Sequence, residues 1–134
     1  MKINSKQKGA NGERELIRLL QEAVDETVGK DVVKLERNLE QTRYGGYDVI
    51  GLDWLAAEVK RCEAVEVDKW WAKLVSIADA HQTPAIFYRR NLEPWKVYCR
   101  VRISTKTGGA VRMLGSVALS DWLVWFKEEL KARR

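Results

Sequence analysis

The chain has 134 residues, 46% of them hydrophobic and 32% charged, with a net charge of +5. That length suits one domain able to bury about two-thirds of the surface its unfolded chain exposes, with no need of staples. No apolar run approaches the roughly 20 residues of a membrane span. The single histidine excludes paired-histidine chemistry, and Cys62 and Cys99 lack partners at zinc-ligand spacing.

Residues 1–8 are polar and basic and read as an N-terminal arm. They contain no apolar h-region, so a secretory signal is not expected. The expected setting is cytoplasmic, that of a phage-encoded protein in its host included, with free thiols. A helix is predicted over residues 9–28, where Leu16, Leu19, Leu20, Ala23 and Val24 form one apolar stripe. Asn11 stands near its start and Gly29 just past its end. At about 100° per residue, Glu13 lies about 40° from the stripe centre, Glu15 about 120° away and Arg14 further still. Glu13 is therefore expected to project inward and Glu15 outward. The competing reading of Glu13 is a first-turn carboxylate complementing the helix dipole.

The β-branched run at 31–37 reads as a strand and the polar 38–46 as a loop. A strand at 47–51, a turn at 52–54 and a strand at 55–61 read as a hairpin. Centred near Asp53, it sets Asp48 across from Glu58 with Cβ atoms about 5 Å apart. Helical spacing returns at 66–80. Strands are predicted at 83–88, 95–103 and 111–117, and a last helix runs from a Ser120 cap to about Lys131. The predicted class is α/β, a mixed central sheet flanked by helices, in one domain over 1–134.

The chemistry concentrates in residues 45–61. Strand side chains alternate, so Glu58 and Lys60 share a face while Val59 points the other way. A carboxylate and an ammonium on a mostly apolar strand are costly to bury unless paired or metal-bound. Glu13, Asp48 and Glu58 are expected to converge beside Lys60. Clustered carboxylates with oxygen-only donors suit Mg2+ or Mn2+, and such a set fits phosphodiester hydrolysis. The competing reading is a surface strand with salt bridges.

These residues resemble the PD-(D/E)XK nuclease superfamily. The opening Lys8-Gly9-Ala10-Asn11-Gly12-Glu13-Arg14-Glu15-Leu16 is similar to the first helix of archaeal-type Holliday-junction resolvases. An Asp-Val-Ile strand and a Glu-Val-Lys strand follow in the same order, and the likeness covers about residues 6–61 well. It implies a restriction-endonuclease-like fold and a Mg2+-dependent endonuclease that leaves 5′-phosphate ends. It also implies a homodimer acting on four-way junctions in recombination and repair. Glu13, Asp48 and Glu58 would be metal ligands with the Val59 carbonyl, and Lys60 would serve the attacking water. Arg14 would contact phosphate, and Lys8 and Arg61 are further DNA-binding candidates. The loop before Asp48 departs from the family's small-residue, serine-containing loop, and Arg43 stands there as a possible substitute contact. The alternatives are a flap or duplex nuclease of phage or mobile-element type, and a non-catalytic DNA-binding module.

Six tryptophans invite two readings, base stacking and packing. The same holds for the arginines near 89–112, a phosphate-tracking surface or a solvated face.

Overall fold

The structure, a computed structural model, describes residues 5–40 and 46–133. In chain order the elements are α1 (Ser5–Val28), β1 (Glu36–Arg37), β2 (Val49–Ile50), β3 (Leu55–Cys62), α2 (Val67–Ile77), β4 (Thr83–Arg90), β5 (Lys96–Ser104), β6 (Ala110–Ala118) and α3 (Leu119–Ala132). The order of element types is the one the periodicities predict. Four strands make a mixed sheet in the order β3-β4-β5-β6. β3 and β4 run parallel with Leu55 opposite Thr83, and the later pairs are antiparallel. β1 and β2 form a separate antiparallel ribbon.

Period-2 alternation divides the sheet between two apolar layers. Leu55, Ala57, Val59, Phe87 and Val97 meet Leu16, Leu20 and Val24 of α1 and Trp122, Phe126 and Leu130 of α3. On the other face, Ala56, Ile86, Tyr88 and Tyr98 are covered by Trp71 and Leu74 of α2. β3 and β4 are thus apolar toward both faces, as parallel strands covered by helices must be. Each Leu or Phe fully buried here contributes about 1.5–3 kcal/mol. Trp70 and Trp71 both pack on the sheet, their ring centroids 6.0 Å from Tyr88 and 5.7 Å from Tyr98. Trp95 donates its indole N–H to Glu15, and Trp54 and Trp122 each make a ring contact with Trp125, which favours the packing reading.

The elements differ from the predicted ones in places with identifiable causes. α1 begins at Ser5, so Lys8 lies on the helix and Asn11 inside it rather than at its cap. The strand predicted at 31–37 contracts to β1, because Gln21 takes its backbone groups. Gln21 Nε2 donates to the Val33 carbonyl at 2.8 Å, and the Leu35 N–H donates to Gln21 Oε1 at 2.8 Å. The strand predicted at 47–51 contracts to β2, which pairs with β1. Gly51 ends it with φ +128°, where a Cβ would stand 2.4 Å from the Lys34 carbonyl oxygen. Only glycine allows both that angle and that approach. α2 stops at Ile77, short of the predicted Ala80. Ala118, not Ser120, is the N-cap of α3, and the Leu119 N–H donates to the Trp95 carbonyl at 3.2 Å. Among the described residues, no helix is long and apolar enough to cross a membrane.

Candidate active site

β3 carries Glu58 and Lys60 on the face that α2 covers. The Lys60 ammonium lies 3.4 Å from Glu58 Oε1 and 5.9 Å from the centroid of the Trp70 ring. Glu66, Lys69 and Lys73 line the same cleft. β3 brings this pair to the edge of the sheet, against the β1–β2 ribbon.

Asp48 reaches that edge by a different route from the predicted hairpin. β2 pairs with β1, and Asp48 meets β3 through its own N–H, which donates to the Ala57 carbonyl at 2.8 Å. The Asp48 carbonyl accepts the Asn38 N–H at 2.8 Å, and its Oδ2 accepts the Val59 N–H at 2.7 Å. Bonds from both sides leave the carboxyl little freedom. Asp48 and Glu58 are each 7% exposed and are hydrogen-bonded to one another. Burial first, and then the charge of Glu58, pushes the Asp48 carboxyl up to about 7. Near neutral pH Asp48 is therefore about half protonated. Two ionised carboxylates about 4 Å apart repel by ~4 kcal/mol at an effective dielectric near 20, which a cation would relieve.

Glu13 stands beside the pair, near enough for the Asp48 charge to act on it. Burial raises its carboxyl, against the opposing effect of Arg37. Arg37 Nε donates to Glu13 Oε2 at 2.7 Å. Among the described residues, no three Asp, Glu, His or Cys side chains group as a metal-ligand set. The expected convergence of three acids is thus met by Asp48 and Glu58, with Glu13 turned to Arg37. A third carboxylate beside two others is repelled, and Arg37 offers it a charge-assisted bond.

Glu15 does not look outward as its angle suggested. It pairs with Arg89 and accepts the Trp95 Nε1–H at 3.0 Å. The β4–β5 turn climbs that flank of α1, so both sides of the helix are covered. Arg14 is exposed and donates to Asn11 Oδ1 at 3.3 Å. Arg61 lies along α1, where a Cβ on Gly12 would stand 3.0 Å from its own Cβ. The charges of Lys8, Arg90 and Lys60 all act on Cys62 at the end of β3, whose thiol burial pushes up. These cations therefore gather at one end of the strand. Arg43 lies outside the described residues.

Sequence reasoning missed Arg37, Asn38 and Gln21. Arg37 and Arg14 also line a broad cleft between α1 and residues 30–39, together with Arg18, Lys30 and Lys34. No local period marks these residues, because their partners lie 9 to 24 positions away. No protein-family model, curated protein or solved structure matches the chain.

Proposed function

We propose that this protein is a divalent-metal-dependent DNA endonuclease with a restriction-endonuclease-like fold, most like a Holliday-junction resolvase. The observation that carries the reading is the buried Asp48–Glu58 pair with Lys60 against it. The donors suit a hard cation, being all oxygen, adjacent, and short of positive charge when both are ionised. Asp48 and Glu58 would hold Mg2+ or Mn2+, with Glu13 and the Val59 carbonyl as further donors. The ion supplies water activation and neutralises charge on a phosphoryl oxygen.

The chain's own residues supply the rest. The Lys60 ammonium orients the attacking water and stabilises developing negative charge, held in place by Glu58 and the Trp70 ring. Lys8, Arg14, Arg43 and Arg61 hold phosphates of the bound strand. A four-way junction needs two symmetric cuts, so a homodimer belongs to the proposal.

The test is cleavage of a labelled four-way junction with Mg2+, beside linear duplex, flap and single strand. Paired symmetric nicks on the junction alone support the assignment. Cutting of flaps or duplex instead keeps the chemistry and changes the substrate. Nicking that survives in Glu58→Ala refutes the site. The ion pairs Glu58–Lys60 and Glu13–Arg37 favour a second reading, a non-catalytic DNA-binding module. Absence of Mg2+ and Mn2+ binding, with DNA affinity indifferent to divalent ions, would establish it.

A further inference from the structure

The two ends of the four-stranded sheet are unlike. β3 is covered by Asp48 and the β1–β2 ribbon, whereas among the described residues nothing pairs with the outer side of β6. Natural edge strands are blunted by shortness, proline, bulges or charged side chains. Of these β6 has only the last, and only once. It runs nine residues, Ala-Val-Arg-Met-Leu-Gly-Ser-Val-Ala, with Arg112 its one charge. Val111 is 50% exposed, Met113 42% and Leu114 44%. Ile103, opposite Val111 on β5, is 52% exposed. Such an edge is a template for another strand.

The strand's pattern says which strand. Its outer residues are symmetric about Leu114, Ala110 with Ala118 and Val111 with Val117. A second copy laid antiparallel on a two-fold axis through Leu114 sets Ala110 opposite Ala118, Val111 opposite Val117 and Arg112 opposite Ser116. It also sets Met113 opposite Gly115. A Cβ added at Gly115 would find only Val101, at 3.8 Å, so there is open space where the partner's methionine would pack. The two Arg112 side chains would sit four residues apart along the strand, about 14 Å, beyond the Debye length of about 8 Å at physiological salt. Any other two-fold centre shortens the pairing, and centring on Arg112 sets two guanidiniums face to face.

We propose that β6 is a self-pairing edge through which two copies of this chain join their four-stranded sheets into one. This deepens the proposed nuclease by giving its homodimer an interface and rests on that reading for its purpose. The pairing itself is read from β6 alone. Identical residues on the axis share a face, so the two α2-covered faces lie on the same side of the joined sheet at the junction.

The test is the molar mass of the full chain by light scattering and sedimentation, with no cleavage readout, so its failure leaves the carboxylate site standing. Wild type is expected at twice 15.5 kDa. Leu114→Lys sets two ammoniums on the axis and should halve the mass with circular dichroism unchanged. Directly opposed residues of an antiparallel pair have Cα atoms about 4.5–5.5 Å apart, within disulfide reach. Leu114→Cys in a Cys62→Ser background should therefore oxidise to a covalent dimer, and Val124→Cys, exposed on α3, should not. A monomeric wild type, a Leu114→Lys protein that stays dimeric, or a dimer that Leu114→Cys fails to cross-link would each overturn the proposal.

Discussion

Replacing Asp48 with asparagine should stabilise the protein at pH 8 while abolishing cleavage. The Asp48 carboxyl is raised from 3.8 to about 7, by burial first and by Glu58 second. A native value above the unfolded one means that the folded chain keeps a proton the unfolded chain has released. Stability then falls as pH rises from about 3.8 to about 7, by about 1.4 kcal/mol per pH unit, and is level above that. The whole window amounts to about 4 kcal/mol. Asparagine is neutral throughout. Its amide oxygen can accept the Val59 N–H that Asp48 Oδ2 now accepts, and its NH2 can donate to Glu58. The stability of Asp48→Asn relative to wild type should therefore climb by about 4 kcal/mol between pH 4 and pH 8, measured by urea unfolding in EDTA. Mg2+ at a hundredfold excess over its dissociation constant should return ~2.7 kcal/mol to wild type at pH 8 and none to the variant. Parallel stability profiles for the two proteins across pH 4–8 would show that Asp48 holds no proton and that the account of the pair is wrong.

Three further outcomes follow from contacts around the site. Gln21→Ala should cost about 1–3 kcal/mol by leaving the Leu35 N–H and the Val33 carbonyl without their partner. It should also speed amide exchange at Leu35, and unchanged exchange there would dismiss the role given to Gln21. Glu15→Ala strips Arg89 and the Trp95 indole of their shared acceptor and should lower stability by about 1–3 kcal/mol. A neutral result by urea unfolding would mean that water replaces the carboxylate there. Gly12→Ala sets a methyl 3.0 Å from Arg61 Cβ. Overpacking of about 1–3 kcal/mol is offset by about 1 kcal/mol of helix propensity. Stability should fall little, and cleavage should fall about tenfold as α1 is pushed off β3 and Glu13 with it. Equal activity of the two proteins would remove that spacing from the account of the site.

What the sequence determined by itself was whatever depends on local period. Alternation alone put Glu58 and Lys60 on one face and Val59 on the other. The helical angle turned Glu13 toward the sheet, and the apolar stripes set the succession of helices and strands. These are consequences of backbone geometry acting on neighbouring residues, so they are readable before any fold is known. Tertiary structure decided the partners. Glu15 lay at an outward angle, yet Arg89 at the end of β4 and Trp95 just before β5, 74 and 80 positions on, cover it. The strand at 31–37 had β-branched residues enough, yet the Val33 carbonyl and the Leu35 N–H went to Gln21 on α1. Glu13 was turned inward as its angle required, but Arg37 rather than the other two acids received it. A side chain's direction follows from its own element. The group that meets it, and so whether a carboxylate is paired, protonated or free to take a cation, depends on which distant segment packs there.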